Sequence, residues 1–290
     1  MLPVVLLSVP NVSEGRDRDL IARLAGSFGP ARLLDVHSDP DHNRSVFTLA
    51  SGQGELARAL AAGARAAAES IDLTAHDGLH PHAGALDVAP VVYLDEATRG
   101  AATAEALTAG ALIGELGIPV FLYGDLATDP ARRERAEFRR GGPAALAERV
   151  ASGELVPEYG PAELHPTAGA TLVTARPPLI AFNVELDSAD IGLACAIAAE
   201  LREAGGGLPG VRAIGLLLER SGRAQVSMNI HDHRAAPLAE IVARIAARAP
   251  VAEAELVGLA PAAALVGFPA EIPLRNRRTI EDALDPSQSS

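Results

Sequence analysis

The chain contains no lysine and no tryptophan, and it has a single cysteine. All 25 of its basic residues are therefore arginine, which excludes Schiff-base chemistry and the lysine of a phosphate-binding loop. The one cysteine, Cys195, cannot form an intrachain disulfide, and its apolar neighbours predict a packed core thiol. Aromatic residues make up only 3% of the chain and the formal net charge is −12, so the composition argues against a nucleic-acid surface.

Long apolar runs are also missing, although hydrophobic residues make up 48% of the 290 residues. No run approaches the roughly 20 residues that a membrane span needs, so we expect a protein that does not bind a membrane. The first ten residues have no basic segment and no small-residue cleavage site, so they predict a first strand rather than a signal peptide. The cytoplasm is the location we expect. The length allows one or two domains.

The first half of the chain alternates between the patterns of strands and helices. Its order is β-α-β-β-α-β, which is the ferredoxin-like arrangement, followed by an added helix at 95–116 and an added strand at 118–123. The predicted strands are 3–8, 32–37, 45–50 and 86–94, and the predicted helices are 16–29 and 55–70.

The second half repeats this order without a convincing residue-by-residue repeat. We therefore predict an α/β (α+β) fold of two ferredoxin-like βαββαβ sandwich subdomains with a ligand cleft between them. The subdomains are predicted at 1–176, including a connecting segment, and at 177–270, followed by a tail at 271–290. The predicted strands of the second half are 179–186, 211–219, 224–230 and 253–259, and its helices are 188–204 and 237–248.

A run of five arginines stands in the connecting segment 125–176. Charge patterning favours a solvated helix face for them over a ligand site. The five residues are Arg132, Arg133, Arg135, Arg139 and Arg140.

Three of the eight histidines, His76, His80 and His82, fall within seven residues. Gly78, Pro81 and a further glycine exclude a continuous helix, so the segment 76–87 is predicted to be a loop, which we call the histidine loop. Imidazole is the side chain that takes and gives a proton near neutral pH, so the loop indicates either general-base chemistry or metal ligation. A metal site could also use His231 and His233, but the spacing does not require one.

Other polar stretches adjoin predicted strand ends, at 10–16, 35–44 and 225–229. In the last, strand alternation places Gln225, Ser227 and Asn229 on one face, which either faces solvent or offers amides to a heteroaromatic ligand. A nucleophile elbow, a dinucleotide-binding fingerprint and a phosphate-binding loop are all missing from the sequence.

A series of short blocks, in order along about residues 4–265, resembles the glutamate formiminotransferase family. The blocks are Val9-Pro10-Asn11-Val12-Ser13-Glu14-Gly15-Arg16, Leu34-Asp35-Val36, Asn43-Arg44-Ser45-Val46, 76–88, Pro119-Val120-Phe121-Leu122-Tyr123-Gly124, Tyr159-Gly160-Pro161, Ile180-Ala181-Phe182-Asn183, Gln225-Val226-Ser227-Met228-Asn229 and Val257-Gly258-Leu259.

This resemblance implies transfer of a formimino group between N-formimino-L-glutamate and tetrahydrofolate, a step of histidine degradation. It also implies two α/β subdomains, a homodimer, folate and glutamate derivatives as the small-molecule partners, and no metal. The family's catalytic histidine precedes a proline and carries over to His80 as the general base. Its folate-binding loop carries over to Gly160, Pro161, Ala162, Glu163, Leu164, His165, Pro166, Thr167, Ala168 and Gly169.

Further polar residues in these blocks are predicted to bind substrate. Arg44 would hold a carboxylate, and the amides of Gln225 and Asn229 would bind pterin or glutamyl groups. Asp77 and His82 stand where the family usually has a basic residue and an arginine. Formyl transfer from 5-formyltetrahydrofolate to glutamate and a non-catalytic folate-binding paralogue therefore remain alternatives. The predicted substrate-binding residues are Asn11, Asp35, Asn43, Arg44, His82, Gln225 and Asn229.

Overall fold

The computed structural model describes residues 5–78 and 81–285. The chain divides into two compact units, with the boundary between Pro177 and Pro178. The first unit begins with β1 at Val5–Ser8, β2 at Asn11–Val12, α1 at Arg18–Ser27, β3 at Arg32–Asp39, β4 at Arg44–Gly52, α2 at Leu56–Ser70 and β5 at Leu86–Val92. It continues with α3 at Arg99–Gly114, β6 at Val120–Leu122, α4 at Arg135–Arg139, α5 at Gly142–Ala151 and β7 at Thr171–Arg176.

The described strands of the first unit form one mixed sheet. Strands β1 and β2 both pair with β4 and with β5, so they occupy one central position, and β3 pairs with the far side of β4. All of these pairs are antiparallel, as in a ferredoxin-like sheet. Strand β7 then pairs parallel with β5, and β6 pairs parallel with β7. The predicted ferredoxin-like order is confirmed for this unit.

The segment 125–176 is not a simple connection. It contains helices α4 and α5 and the strand β7, which lies inside the sheet between β5 and β6. Strand β7 was missed because its short pattern follows a Gly/Pro-rich stretch and because its parallel partners are distant along the chain. The prediction of a solvated arginine face holds for Arg140, whose side chain is 65% exposed, and fails for Arg139, whose side chain is 13% exposed and pairs with Asp87.

The second unit contains β8 at Ile180–Leu186, α6 at Ile191–Leu201, β9 at Val211–Leu217, β10 at Ala224–Ile230, α7 at Leu238–Ala246, β11 at Val251–Leu256, β12 at Leu274–Arg275 and α8 at Ile280–Leu284. Its sheet has the order β12-β11-β8-β10-β9, in which β12 alone is parallel to its neighbour. The order β11-β8-β10-β9 repeats the ferredoxin-like order of the first unit. The predicted second α/β unit is thereby confirmed.

Each sheet buries an apolar face under its helices. In the first unit, α1, α2 and α3 cover one face through residues such as Leu24, Leu60 and Ile113. A Cβ at Gly63 of α2 would lie 2.0 Å from the ring of Phe28, so glycine is what lets that ring pack there. On the opposite face, α4 and α5 cover β5, β6 and β7 through a smaller cluster that includes Phe138.

Cys195 was predicted to be a core thiol, and this prediction was wrong. The residue is exposed on α6, and its Sγ lies 3.8 Å from the carbonyl oxygen of Gly215. Helix α6 is apolar almost all round, with Ile191 also 47% exposed, so its sequence does not reveal which side is buried. Over the described part of the chain, no helix has both the length and the apolar character that crossing a membrane would require.

Candidate functional site

The histidine loop follows a short 3₁₀ turn at Leu73–Ala75, which Asp72 caps by accepting from the amide of Thr74. The rings of His76 and His82 meet edge to face, with centroids 4.6 Å apart and planes at 76°. Burial, then the neighbouring His82, lowers the pKa of His76 below its ordinary value. His80, the predicted base, lies outside the described residues, between two imidazoles that do have defined positions.

The end of the histidine loop is tied to a buried carboxylate. Asp87 is 1% exposed, and its Oδ1 accepts a hydrogen bond of 2.7 Å from the amide of Ala83. Its Oδ2 accepts from the guanidinium of Arg139 on α4. A buried carboxylate requires such partners, so this pair connects the loop rigidly to the sheet and to α4.

The predicted folate loop, 160–169, packs directly against the same part of the histidine loop. The amide of Ala85 donates to the carbonyl of Ala168 at 2.9 Å, and the amide of Ala170 donates to the carbonyl of Ala83 at 2.9 Å. A Cβ at Gly84 would lie 1.9 Å from the carbonyl oxygen of Ala170. The two loops, 80 residues apart along the chain, therefore approach so closely that glycine is needed at their contact.

Within the folate loop, His165 stabilises a tight turn rather than extending outward. Its Nδ1 accepts from the amide of Ala168 at 3.0 Å, and its backbone forms two hydrogen bonds with Gly169, which has a positive φ of 66°. The amide of Leu73 reaches the carbonyl of Thr167 at 2.9 Å. The loop thus has a defined backbone whose position depends on the histidine loop.

The loop 10–16 is the third segment at this place. The amide of Ser13 donates to the carbonyl of Ala85 at 2.9 Å, and its hydroxyl donates to the carbonyl of Gly84 at 2.8 Å. Asn11 is 8% exposed, and its side chain donates to the carbonyl of Val9 at 2.9 Å. Ser13 was not predicted as a site residue, although it stands in a block that carried the resemblance.

Strand register places several predicted residues on one face of the first sheet. Asp35 lies opposite Thr48, and Asp39 lies opposite Arg44. His37 lies midway between these two aspartates along β3 and is paired with Val46 of β4. On its other side, Val46 is paired with Asn11 of β2. Directly opposed residues share a face, and residues two apart on a strand do so as well. Asn11, Asp35 and Arg44 are therefore brought to one face, as a shared site requires.

Asp39 and His42 form a close pair that the sequence analysis did not find. Nδ1 of His42 and Oδ2 of Asp39 are 2.6 Å apart, and Oδ1 accepts from the amides of Asp41 and His42. Burial alone would raise the pKa of Asp39, but the hydrogen bond and charge of His42 and the two amides hold it well below its ordinary value. Asp39 is therefore an anion at neutral pH. The turn D-x-x-H is the only signal in the sequence for this pair.

Arg44 lies among charged groups of both signs. Burial first, and then the charges of Arg135 and Arg139, lower the pKa of Arg44 to about 10, while Asp87 and Asp39 raise it. Guanidinium groups are the side chains that bind a carboxylate through paired hydrogen bonds. Arg135 and Arg139 were predicted only as members of a charge run.

In the second unit, the predicted alternation of β10 is confirmed. Val226 and Met228 lie in the core, while Ser227 and Asn229 are half-buried. Gln225 is 2% exposed, lies opposite Glu185, and its Nε2 has no partner among the described residues. Simple solvent exposure therefore does not account for this polar face.

Within 5–78 and 81–285, no three side chains of histidine, cysteine, aspartate or glutamate are arranged to hold a metal ion.

The chain is an α/β protein of two ferredoxin-like units. In the first unit, a histidine loop and a glycine-rich loop pack together. The chain belongs to the formiminotransferase family. Residues 5–176 match the formiminotransferase domain, N-terminal subdomain, and residues 181–277 match the formiminotransferase domain. The resemblance drawn from the short blocks is confirmed.

Relatives of this family align with most of the chain. It is 41% identical over 267 residues to the glutamate formimidoyltransferase of Streptococcus pyogenes serotype M1, covering 89% of both chains. It is 39% identical over 269 residues to the glutamate formimidoyltransferase of Thermoplasma acidophilum, covering 89% of this chain and 88% of the other. The formimidoyltransferase-cyclodeaminase of Sus scrofa is 36% identical over 277 residues, which span 89% of this chain and 50% of that protein.

Proposed function

We propose that this protein is a glutamate formimidoyltransferase, which moves a formimino group between N-formimino-L-glutamate and tetrahydrofolate in histidine degradation. The observation that carries the proposal is the family match over both units, 5–176 and 181–277. The contact between the histidine loop and the loop 160–169 supports it, because a proton-transfer group and a co-substrate loop must lie together for the reaction.

His80 is the proposed general base. As a neutral imidazole, it removes the proton from the folate nitrogen as that nitrogen forms its bond to the formimino carbon. It then returns the proton to the glutamate nitrogen as the carbon–nitrogen bond to glutamate breaks. The hydrogen bonds of Ala83 and Ala85 hold the part of the loop that follows the base in the sequence.

The proposed binding groups are those that the family resemblance implies. The loop 160–169 is the proposed folate contact, and the amides of Gln225 and Asn229 are proposed to bind the pterin or the glutamyl group. Arg44 is proposed to hold a substrate carboxylate, supported by the nearby charges of Arg135 and Arg139 and by the fork geometry of its guanidinium group. Asn11, Asp35 and His82 complete the proposed substrate-binding set.

The test is a steady-state assay of tetrahydrofolate-dependent loss of N-formimino-L-glutamate. The wild type should turn over, and His80→Ala should lose about 100-fold or more in kcat, because general-base catalysis contributes about 10²–10⁴-fold. His233→Ala, in the second unit, is the matched histidine control and should retain wild-type kcat. Absence of turnover in the wild type, or full turnover in His80→Ala, would refute the proposal.

The same assay separates formimino transfer from its nearest alternative. When 5-formyltetrahydrofolate and glutamate replace the formimino donor and its acceptor, a formyltransferase would form N-formylglutamate faster than the formimino reaction proceeds. Saturable folate binding without either transfer would instead identify a non-catalytic binding protein.

We also propose a cytoplasmic homodimer. A single cysteine fits a reducing compartment, and the homodimer is what the family resemblance implies. Sedimentation equilibrium should give twice the chain mass of 29.8 kDa, and a monomer across the micromolar range would contradict the dimer.

A further inference from the structure

Asn43 has an unusual backbone for a residue with a side chain. Its φ is 47°, in the left-handed region, and only Asn276 shares this feature among the non-glycine residues of the described chain. Asn43 is 8% exposed and stands at the end of the turn between β3 and β4. Left-handed asparagine is tolerated because its short polar side chain can bond to nearby backbone, so the contacts of that side chain are informative.

Both ends of the Asn43 amide are used, and by different loops. Its Oδ1 accepts from the amide of Gly15 at 2.9 Å, and its Nδ2 donates to the carbonyl of Asp77 at 2.9 Å. These two bonds determine which end of the amide is oxygen and which is nitrogen. One side chain thus joins the loop 10–16 to the start of the histidine loop.

The same Nδ2 lies 3.4 Å from Nδ1 of His76. An amide nitrogen can only donate, so this contact is a hydrogen bond when Nδ1 of His76 presents its lone pair, and it then favours the neutral ring with its proton on Nε2. That ring is the one in edge contact with His82. Asn43 therefore influences both the position and the tautomer of the first imidazole in the loop.

The backbones around Asn43 leave no room for adjustment. A Cβ at Gly78 would lie 2.7 Å from the carbonyl oxygen of His42 and 2.8 Å from Cβ of Asn43. A Cβ at Gly15 would lie 2.3 Å from the carbonyl oxygen of Asp39 and 2.5 Å from the amide of Arg44. Three segments meet here at glycine contact distance, with Asn43 between them.

We propose that Asn43 is a positioning residue, which holds the start of the histidine loop and keeps the His76 ring neutral with its proton on Nε2. This role extends the proposed transfer reaction, since it rests on the histidine loop carrying the base. It replaces direct substrate contact as the function of the Asn43 amide. The other groups that face His76 are Glu14, Arg16, Asp77 and His82, of mixed sign.

Three variants test the proposal. Asn43→Gly keeps the left-handed backbone and removes the amide, while Asn43→Asp keeps the acceptor for Gly15 but places a carboxylate oxygen against His76. Asn276→Gly removes the other left-handed asparagine, in the second unit, and is the matched control. We expect Asn43→Gly to lower kcat by about 10- to 100-fold with KM changed less than about twofold, because misplacing a reacting group reduces kcat. Asn276→Gly should leave kcat at the wild-type value.

The pH dependence of kcat/KM distinguishes this positioning role from a purely structural one, which would leave the pH profile unchanged. A carboxylate beside His76 favours its protonated form, so Asn43→Asp should shift the acidic limb of the kcat/KM profile upward by about one pH unit. An unchanged profile in Asn43→Asp, or a kcat in Asn43→Gly equal to that of the wild type, would overturn the proposal.

A second measurement does not depend on any assumed substrate. Nitrogen-15 histidine spectra, with His76→Gln to assign the signal, should show His76 as the Nε2–H tautomer in the wild type and a larger Nδ1–H population in Asn43→Asp. Identical tautomer populations in wild type, Asn43→Gly and Asn43→Asp would refute the role of Asn43. If the wild type lacks formimino transfer but these populations shift, only the proposed function fails.

Discussion

Asp87 shows how one residue can connect several parts of a loop-built site. It is buried in β5, accepts from the amide of Ala83 and pairs with Arg139, 52 residues further along the chain. In the sequence, Asp87 stands between Leu86 and Val88 of a strand, and this pattern does not indicate which residue is its partner. A carboxylate between apolar strand residues nevertheless indicates a buried charge, which needs a cation.

Replacing Asp87 should therefore reduce stability strongly. Asp87→Asn leaves Arg139 without its counter-charge, and breaking a buried pair costs about 3–5 kcal/mol in the free energy of unfolding. Urea denaturation of wild type and variant measures the difference. The double variant Asp87→Asn with Arg139→Gln should recover part of the loss, because it removes the uncompensated charge. A single variant as stable as the wild type would contradict the buried pair.

At the scale of elements, the periodicity of apolar residues predicted most helices and strands. It failed for a strand whose pairing partners are distant along the chain. Strands β8, β9 and β10 and helices α6 and α7 lie within the predicted ranges, because each alternates or repeats within itself. Strand β7 was missed, since its place between β5 and β6 follows from partners about 50 and 80 residues away.

A buried glutamate shows another element-level device. Glu105 of α3 is 2% exposed, and its carboxylate accepts from the amides of Gly54 and Ala57 at 2.7 Å each. Because Glu55 offers no side-chain cap, this carboxylate satisfies the amide of Ala57 in the first turn of α2 and the amide of Gly54 just before the helix. The pattern of α3 alone does not predict this contact.

The contact between the histidine loop and the loop 160–169 should be sensitive to one methyl group. Gly84→Ala would place its Cβ 1.9 Å from the carbonyl oxygen of Ala170, which is backbone and cannot turn away. We expect a loss of about 1–3 kcal/mol in the free energy of unfolding, together with a raised KM for tetrahydrofolate.

Gly100→Ala in α3 is the matched control for that change, since an added Cβ there meets nothing within 4 Å. Replacing this glycine in the first turn of the helix by alanine should leave stability unchanged or raise it by up to about 1 kcal/mol. Equal effects of the two substitutions would show that the loop contact is not as close as described.

For the whole molecule, the shifted histidines predict how stability depends on pH. Burial lowers the pKa of His76 and of His233 below 6.5, so the unfolded chain binds protons before the folded chain does. Stability should therefore fall as the pH decreases from about 7.5 through 6.5 towards the folded pKa values. The pKa of Asp39 is also lowered in the folded chain. Its protonation should therefore cause a further loss of stability only at pH values below the ordinary pKa of an aspartate.

The measurement is the urea midpoint at about pH 7.5 and about pH 5.5, where the lower pH should give the lower midpoint. The double variant His76→Gln with His233→Gln removes both groups and should show a smaller difference. If the wild type and this variant lose the same stability, the two histidines are not responsible.

Local patterns in the sequence determined the element order of both units and, through ordered short blocks, the family. Tertiary structure decided the pairing of Asp87 with Arg139, the place of β7, the hydrogen bonds of Asn43 and the exposure of Cys195. The physical reason is that strand and helix periodicity repeats within a few residues. Contacts between distant segments depend on how the folded backbones approach one another, and no periodic signal in the sequence specifies that approach.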